Sequence, residues 1–192
     1  MKSIISQKEC KLIEKRSRFI SCVFSCNSKD EQAIILKELK RKHPSATQVC
    51  YASIIDGEAY SSDDREPSGT AGVPISSMLK KYGVDNCLCA VVRYFGGVKL
   101  GVPGLIDAYK KSAELCFEDN TKDVVLKNEY MCKCSCASFS AVKSLLAKNN
   151  ISTTNEDYSS LVTFCVYLSE TERDMLSNKD VEITPTGNKK YV

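Results

Sequence analysis

The sequence predicts an α+β protein of two domains: an α/β two-layer domain over residues 1–120, then a smaller α+β domain over residues 121–192. Three observations carry this expectation. Short runs of alternating apolar residues appear throughout, stretches of helical periodicity lie between them, and the polar break Glu118-Asp119-Asn120-Thr121-Lys122-Asp123 divides two such series. With 192 residues, 43% of them hydrophobic and 27% charged, the chain suffices for two cores and resembles neither a disordered nor a membrane-embedded protein. No apolar run approaches the roughly 20 residues of a membrane span.

The alternation Arg18-Phe19-Ile20-Ser21-Cys22-Val23-Phe24 predicts the first strand. Ser28-Lys29-Asp30-Glu31 is a capping-box pattern, and Ile34, Ile35, Leu36 and Leu39 supply an apolar face to the helix that follows, ended by His43-Pro44. Strands over 48–55 and 58–62 meet across Asp56-Gly57, a two-residue hairpin signal. Pro74 suits an early position in a helix running to Tyr82. The nearly all-apolar run from Asn86 to Tyr94 predicts a central strand, and a helix follows from about Gly104 to Phe117. Beyond the polar break come a strand near 124–136, a helix from Ser138 to Lys148, strands near 151–156 and 161–167, a short helix from Ser169 and a last strand near Val181. This β-α-β-β-α-β order is that of a ferredoxin-like domain.

Met1-Lys2-Ser3-Ile4-Ile5-Ser6-Gln7-Lys8 lacks the apolar core of a secretory signal, which predicts a cytoplasmic protein. The 11 cysteines, odd in number and scattered, then read as reduced thiols. Cys87 and Cys89, like Cys132, Cys134 and Cys136, sit two apart in predicted strands, where same-face residues are about 6.6–6.8 Å apart. Two sulfurs bound to one zinc at about 2.3 Å must lie much closer, so no metal site is expected in either run. Net charge is +3, with 20 basic against 16 acidic residues over 1–128 and seven against eight thereafter. That mild excess permits contact with nucleic acid without demanding it.

Chemistry concentrates in two glycine-rich loops, Glu66-Pro67-Ser68-Gly69-Thr70-Ala71-Gly72-Val73-Pro74 and Arg93-Tyr94-Phe95-Gly96-Gly97-Val98-Lys99-Leu100-Gly101. Glycines free the backbone to turn and to present N–H groups, while Arg93, Lys99 and a following helix N-terminus add positive charge. A phosphate or an acidic partner suits such a loop; so does a tight strand-to-helix connection in which the glycines serve packing alone. Neither a phosphate-binding Gly-x-x-x-x-Gly-Lys-Ser/Thr string nor a dinucleotide-binding Gly-x-Gly-x-x-Gly is present. Asp63, Asp64 and Glu66 are carboxylates of the kind that hold hydrated magnesium, although a solvated loop is the commoner use. His43, the single histidine, sits at a helix end where an ordinary hydrogen bond is expected. Tyr94 and Phe95 offer faces for stacking on bases, one of them packing inward, with Tyr94 exposed if Phe95 is buried.

The runs Asp64 to Ile75, Arg93 to Leu105 with Ala108-Tyr109, and His43-Pro44 to Cys50-Tyr51-Ala52 resemble the signature blocks of the YigZ/IMPACT family. That resemblance implies a first domain with the fold shared by a ribosomal-protein domain, a late domain of elongation factor G and small-metabolite kinases, then a ferredoxin-like domain. The IMPACT branch implies interaction with the starvation-response machinery that controls initiation-factor phosphorylation; the YigZ branch, whose layout this chain has, implies nucleic-acid or ribosome contact. Three positions depart from the family pattern: Arg65 where glycine is usual, Gln48 where a second histidine is usual, and Pro103 where a glycine or small residue is usual. Pro103 removes one amide donor.

The expected function is a non-enzymatic, translation-associated binding or regulatory role. Its expected partners are RNA, the ribosome or translation-control proteins, with no membrane, no cofactor, no metal and no catalytic residue. An enzyme acting on a phosphorylated small molecule or nucleotide, and a protein-binding adaptor, are the alternatives. The two loops are expected to meet in one site made of Asp64, Glu66, Ser68, Gly69, Thr70, Gly72, Arg93, Tyr94, Gly96, Gly97, Lys99, Gly101 and Gly104.

Overall fold

A computed structural model describes residues 1–177 and 179–192. The chain is an α+β protein in two compact units, Met1–Asp123 and Val124–Val192. In order, the first unit contains β1 (Lys2–Ile4), β2 (Lys8–Glu14), β3 (Ser17–Ser25), α1 (Lys29–Lys42), β4 (Gln48–Ile55), β5 (Glu58–Ser62), α2 (Gly72–Tyr82), β6 (Cys87–Tyr94), α3 (Gly101–Phe117) and β7 (Thr121–Asp123). The second contains β8 (Leu126–Cys134), α4 (Cys136–Lys148), β9 (Thr153–Tyr158), β10 (Val162–Leu168), α5 (Glu170–Leu176) and β11 (Val181–Tyr191). The units part after Asp123, at the end of the polar break, where β7 pairs antiparallel with β1, Ile4 opposite Thr121.

The first unit is built on a five-stranded antiparallel sheet in the order β2-β3-β6-β4-β5. Its central strand β6 is buried from Cys87 to Arg93, as a continuous apolar run requires when both faces are covered. Phe19, Val23, Cys89 and Val91 pack with Ile75, Met78 and Leu79 of α2 and with Leu105, Tyr109 and Ala113 of α3. On the opposite face Ile20, Val49, Ala90 and Val92 pack with Ile35, Leu36 and Leu39 of α1. Helices on both faces give three layers, so the expected two-layer arrangement is corrected. The alternation on β6 is the cause, since residues one apart serve opposite layers.

Local signals explain most boundaries. Ser28 Oγ accepts the Glu31 amide at 3.1 Å, but the Glu31 carboxylate reaches the amide of Asn27 rather than of Ser28, so the box closes one residue early. Ile34 is 63% exposed and does not belong to the apolar face of α1, which Ile35, Leu36 and Leu39 make instead. Asp56 and Gly57, at φ 50° and 80°, form the turn between β4 and β5. The edge strand β2 and the short β1 lack a clear alternation and were missed by the pattern.

The second unit is a four-stranded antiparallel sheet in the order β11-β8-β10-β9. Tyr130, Cys132 and Cys134 of β8 and Val162, Phe164, Val166 and Leu168 of β10 pack with Phe139, Val142 and Leu146 of α4 and Leu176 of α5. Ser169 caps α5 with a complete capping box to Glu172. Cys132 and Cys134 are buried apolar groups of this core, while Cys136 is exposed in the first turn of α4.

Candidate functional site

Three carboxylates stand close together in the loop after β5, and the fold sends each in a different direction. Asp63 accepts the amides of Gly69 at 2.9 Å, Ala71 at 2.9 Å and Gly72 at 2.8 Å, closing the first glycine loop on itself and capping α2. Partial burial works against its ionisation, yet these three bonds outweigh it and hold the Asp63 carboxyl below its ordinary value. Asp64 accepts the Val49 amide at 2.7 Å. Glu66, 9% exposed, accepts Arg93 Nη1 at 2.5 Å and the Tyr109 hydroxyl at 2.9 Å. The carboxylates do not converge, and among the described residues no group of three or more His, Cys, Asp or Glu side chains is placed to hold a metal ion.

The amides of Gly69 and Gly72 are therefore occupied by the chain's own Asp63 and are not an open anion cradle. Thr70 is buried and donates its hydroxyl to the Pro67 carbonyl at 2.6 Å; Ser68 is exposed on the loop. Gly72 sits close to β5, where a Cβ would lie a tight 3.1 Å from the Ser61 side chain and the Ser62 amide. Arg65 sits at φ 71°, the left-handed region that glycine adopts freely, at the position where the family resemblance places glycine.

β6 delivers Arg93 to the α2/α3 side of the sheet, 5% exposed. Its guanidinium bonds Glu66, comes within 3.5 Å of Ser17 Oγ, and lies 5.5 Å from the ring centre of Phe19 and 5.6 Å from that of Phe95. Burial with desolvated neighbours also pushes the Cys50 thiol up to about 12 and the Tyr109 hydroxyl upward. Cys50 Sγ lies 3.3 Å from Tyr109 Oη, so Glu66, Arg93, Tyr109 and Cys50 form one continuous buried network.

The two loops meet at an open groove of about 470 Å³ lined by Glu66, Pro67, Arg93, Phe95, Lys99, Leu100, Gly101, Val102 and Leu105, with Thr47 and Gln48. Of the expected site residues it brings together Glu66, Arg93, Lys99 and Gly101. Gly96 shapes the entrance: its amide donates to Ser17 Oγ at 3.2 Å, and a Cβ there would overlap the Arg16 carbonyl. Gly97 turns the chain at φ 83°, and Gly104 packs against Leu100.

Tyr94 is not in the groove. As the next residue on β6 it faces α1, where its hydroxyl pairs with His43 Nδ1 at 2.8 Å and Arg18 lies 4.2 Å from its ring centre. Of the pair it is Phe95, at 46%, that is exposed, and Tyr94 that packs inward. His43 thus serves the helix end and Tyr94, its amide donating to the Leu39 carbonyl. Asp64 opens on a separate small hollow with His43 and Arg65. Asp63 was read as a carboxylate that could hold magnesium but not as part of the loop site, and Val102, Leu105 and Tyr109 were not placed in it although all three lie in the runs that carry the family resemblance.

Residues 15–117 match the Impact N-terminal domain, and residues 132–184 match a domain of unknown function, DUF1949. The chain belongs to the IMPACT family. It is 41% identical over 107 residues to the IMPACT family member YvyE of Bacillus subtilis (strain 168), an alignment spanning 54% of this chain and about half, 49%, of that protein. With the IMPACT family member YigZ of Escherichia coli (strain K12) it shares 30% identity over 160 residues, 80% of this chain and 78% of that one. A crystal structure of a hypothetical protein, 24% identical, superimposes with a TM-score of 0.64 over 95% of both chains, which speaks for the fold alone. Among the described residues no helix is long and apolar enough to cross a membrane.

Proposed function

We propose that this chain is a translation-associated binding protein that contacts single-stranded RNA, on the ribosome or free, through the surface around Phe95 and Lys99. The observation that carries this reading is the exposed Phe95 ring at the mouth of a groove, with the Arg93 guanidinium at 5.6 Å and Lys99 on the same rim. An exposed aromatic face beside cations is the common platform for unpaired bases, which stack without demanding a sequence. Membership of the IMPACT family supplies the link to translation, and the YigZ-type layout favours RNA or ribosome contact over the signalling role of the IMPACT branch. We assign the second unit as ferredoxin-like, supported by its β-α-β-β-α-β order and the sheet order β11-β8-β10-β9.

The test is binding of a fluorescent single-stranded RNA, with ribosome co-sedimentation, each at two salt concentrations. Salt-sensitive binding is expected, and Lys99→Ala should weaken it across all sequences and lower the salt slope by about one charge. A salt slope unchanged by Lys99→Ala removes this surface from the interface. Absence of RNA and ribosome binding, with phosphate released from a nucleotide, replaces the reading with an enzyme.

A further inference from the structure

Two cysteines face each other across the seam between the edge strand β2 and the last turn of α3. Cys10 points from β2 toward the helix, its Sγ 3.4 Å from the Leu115 carbonyl. Cys116, the residue after Leu115, places its own Sγ 3.3 Å from the Ser21 carbonyl and 3.7 Å from that of Lys8. Ser21 is the residue opposite Cys10 in the pairing of β2 with β3, and its hydroxyl bonds that of Ser112, one helical turn before Cys116. Cys10 and Ser21 are thus presented side by side to one face of α3. Each sulfur rests on the backbone that carries or neighbours the other, and the Cys10 side chain lies within hydrogen-bonding reach of the Cys116 thiol.

The two differ in access. Cys116 is wholly buried, whereas Cys10, at the sheet edge, is the one cysteine of the first unit that is only half-buried. Burial, and then the Cys10 sulfur, push the Cys116 pKa upward, so this thiol keeps its proton and outside reagents do not reach it. Neighbouring thiols do not compete for Cys10. Cys22, beside Ser21 on β3, points to the opposite face and packs with α1. Cys89 lies behind Cys116 in the core with no exposure. An accessible thiol backed by a buried one is the arrangement in which the first is oxidised and the second resolves it.

We propose that Cys10 and Cys116 form a modification site at which a hydroperoxide makes a reversible disulfide. The Cys10 sulfur attacks the peroxide, the O–O bond breaks, and Cys10 becomes a sulfenic acid as an alcohol, or water from hydrogen peroxide, leaves. The Cys116 sulfur then attacks the Cys10 sulfur; the S–S bond forms, the S–O bond breaks, and the hydroxide departs with the Cys116 proton as water. Two thiols are oxidised by two electrons in all and one peroxide is reduced. The bond fastens β2, which has a partner strand on one side only, to the end of the helix whose start lines the groove. A dithiol reductant reverses it by exchange.

The experiment treats the full chain with hydrogen peroxide, then denatures, alkylates and maps it by mass spectrometry without reductant. In the monomer the Cys10 and Cys116 peptides are expected to be joined with loss of two hydrogens, about 2 Da, and dithiothreitol should free both. Cys10→Ser should abolish the bond and leave Cys116 alkylated. Cys116→Ala should leave Cys10 as a sulfenic acid, read as its dimedone adduct. Cys116 is buried, so if that variant does not fold the wild-type map decides. Cys136, exposed on α4, is the internal marker of oxidation. Cys10 and Cys116 both still alkylated once Cys136 is fully oxidised would overturn the proposal. So would either of them joined to another cysteine instead, or a Cys10–Cys116 bond that forms only when urea has unfolded the chain.

Discussion

Arg93 and Glu66 show how a single residue pair can look like a ligand site in the sequence and be structure first. Both were expected in the shared loop site; in the structure they face one another, 6% and 4% exposed, and share the wall of the groove. Breaking a buried pair leaves an uncompensated charge, whereas removing both charges costs far less. Arg93→Met should therefore lose about 3–5 kcal/mol of stability in urea unfolding. Arg93→Met with Glu66→Gln should recover much of that loss; a double variant no more stable than the single one would show that the pair does not hold the wall. Both partners were legible as functional types in the sequence. Their pairing was not, because 27 residues separate them and no local pattern encodes which cation a carboxylate meets.

At the scale of the element, the start of α2 depends on a side chain outside the helix. Asp63 lies eight and nine residues before the Ala71 and Gly72 amides it accepts, a cap that the usual Ser/Thr/Asp adjacency does not reveal. Its carboxyl is held below the ordinary value of 3.8, so its contribution to stability is present above that pH and is lost as pH falls through the lower folded value. Asp63→Asn should accordingly be less stable than the parent at neutral pH, and the gap should narrow in acid unfolding below about pH 4. A gap independent of pH would deny the carboxylate this role. The strands were read better than their neighbours: β6 is an unmistakable apolar run, whereas the exposed edge strand β2 carries Lys8, Glu9, Lys11 and Glu14 and reads as polar chain.

For the whole molecule, the position of the boundary is set by the pairing of β1 with β7, the two ends of the first unit. A fragment of residues 1–120 lacks β7 and should unfold at lower temperature than one of residues 1–123; equal midpoints would show that this pair contributes nothing. Composition and periodicity by themselves determined that the chain is α+β, that it has two cores and the order of its longer elements, because local propensity and side-chain alternation act over a few residues at a time. Its family was carried instead by the resemblance of the runs 43–52, 64–75 and 93–109 to the family's signature blocks. Three layers rather than two, Phe95 rather than Tyr94 at the surface, and the closure of the first glycine loop on Asp63 were decided only by tertiary structure. Each depends on which face of a sheet a residue meets, or which distant group it bonds, and those choices follow from packing the whole chain around its cores.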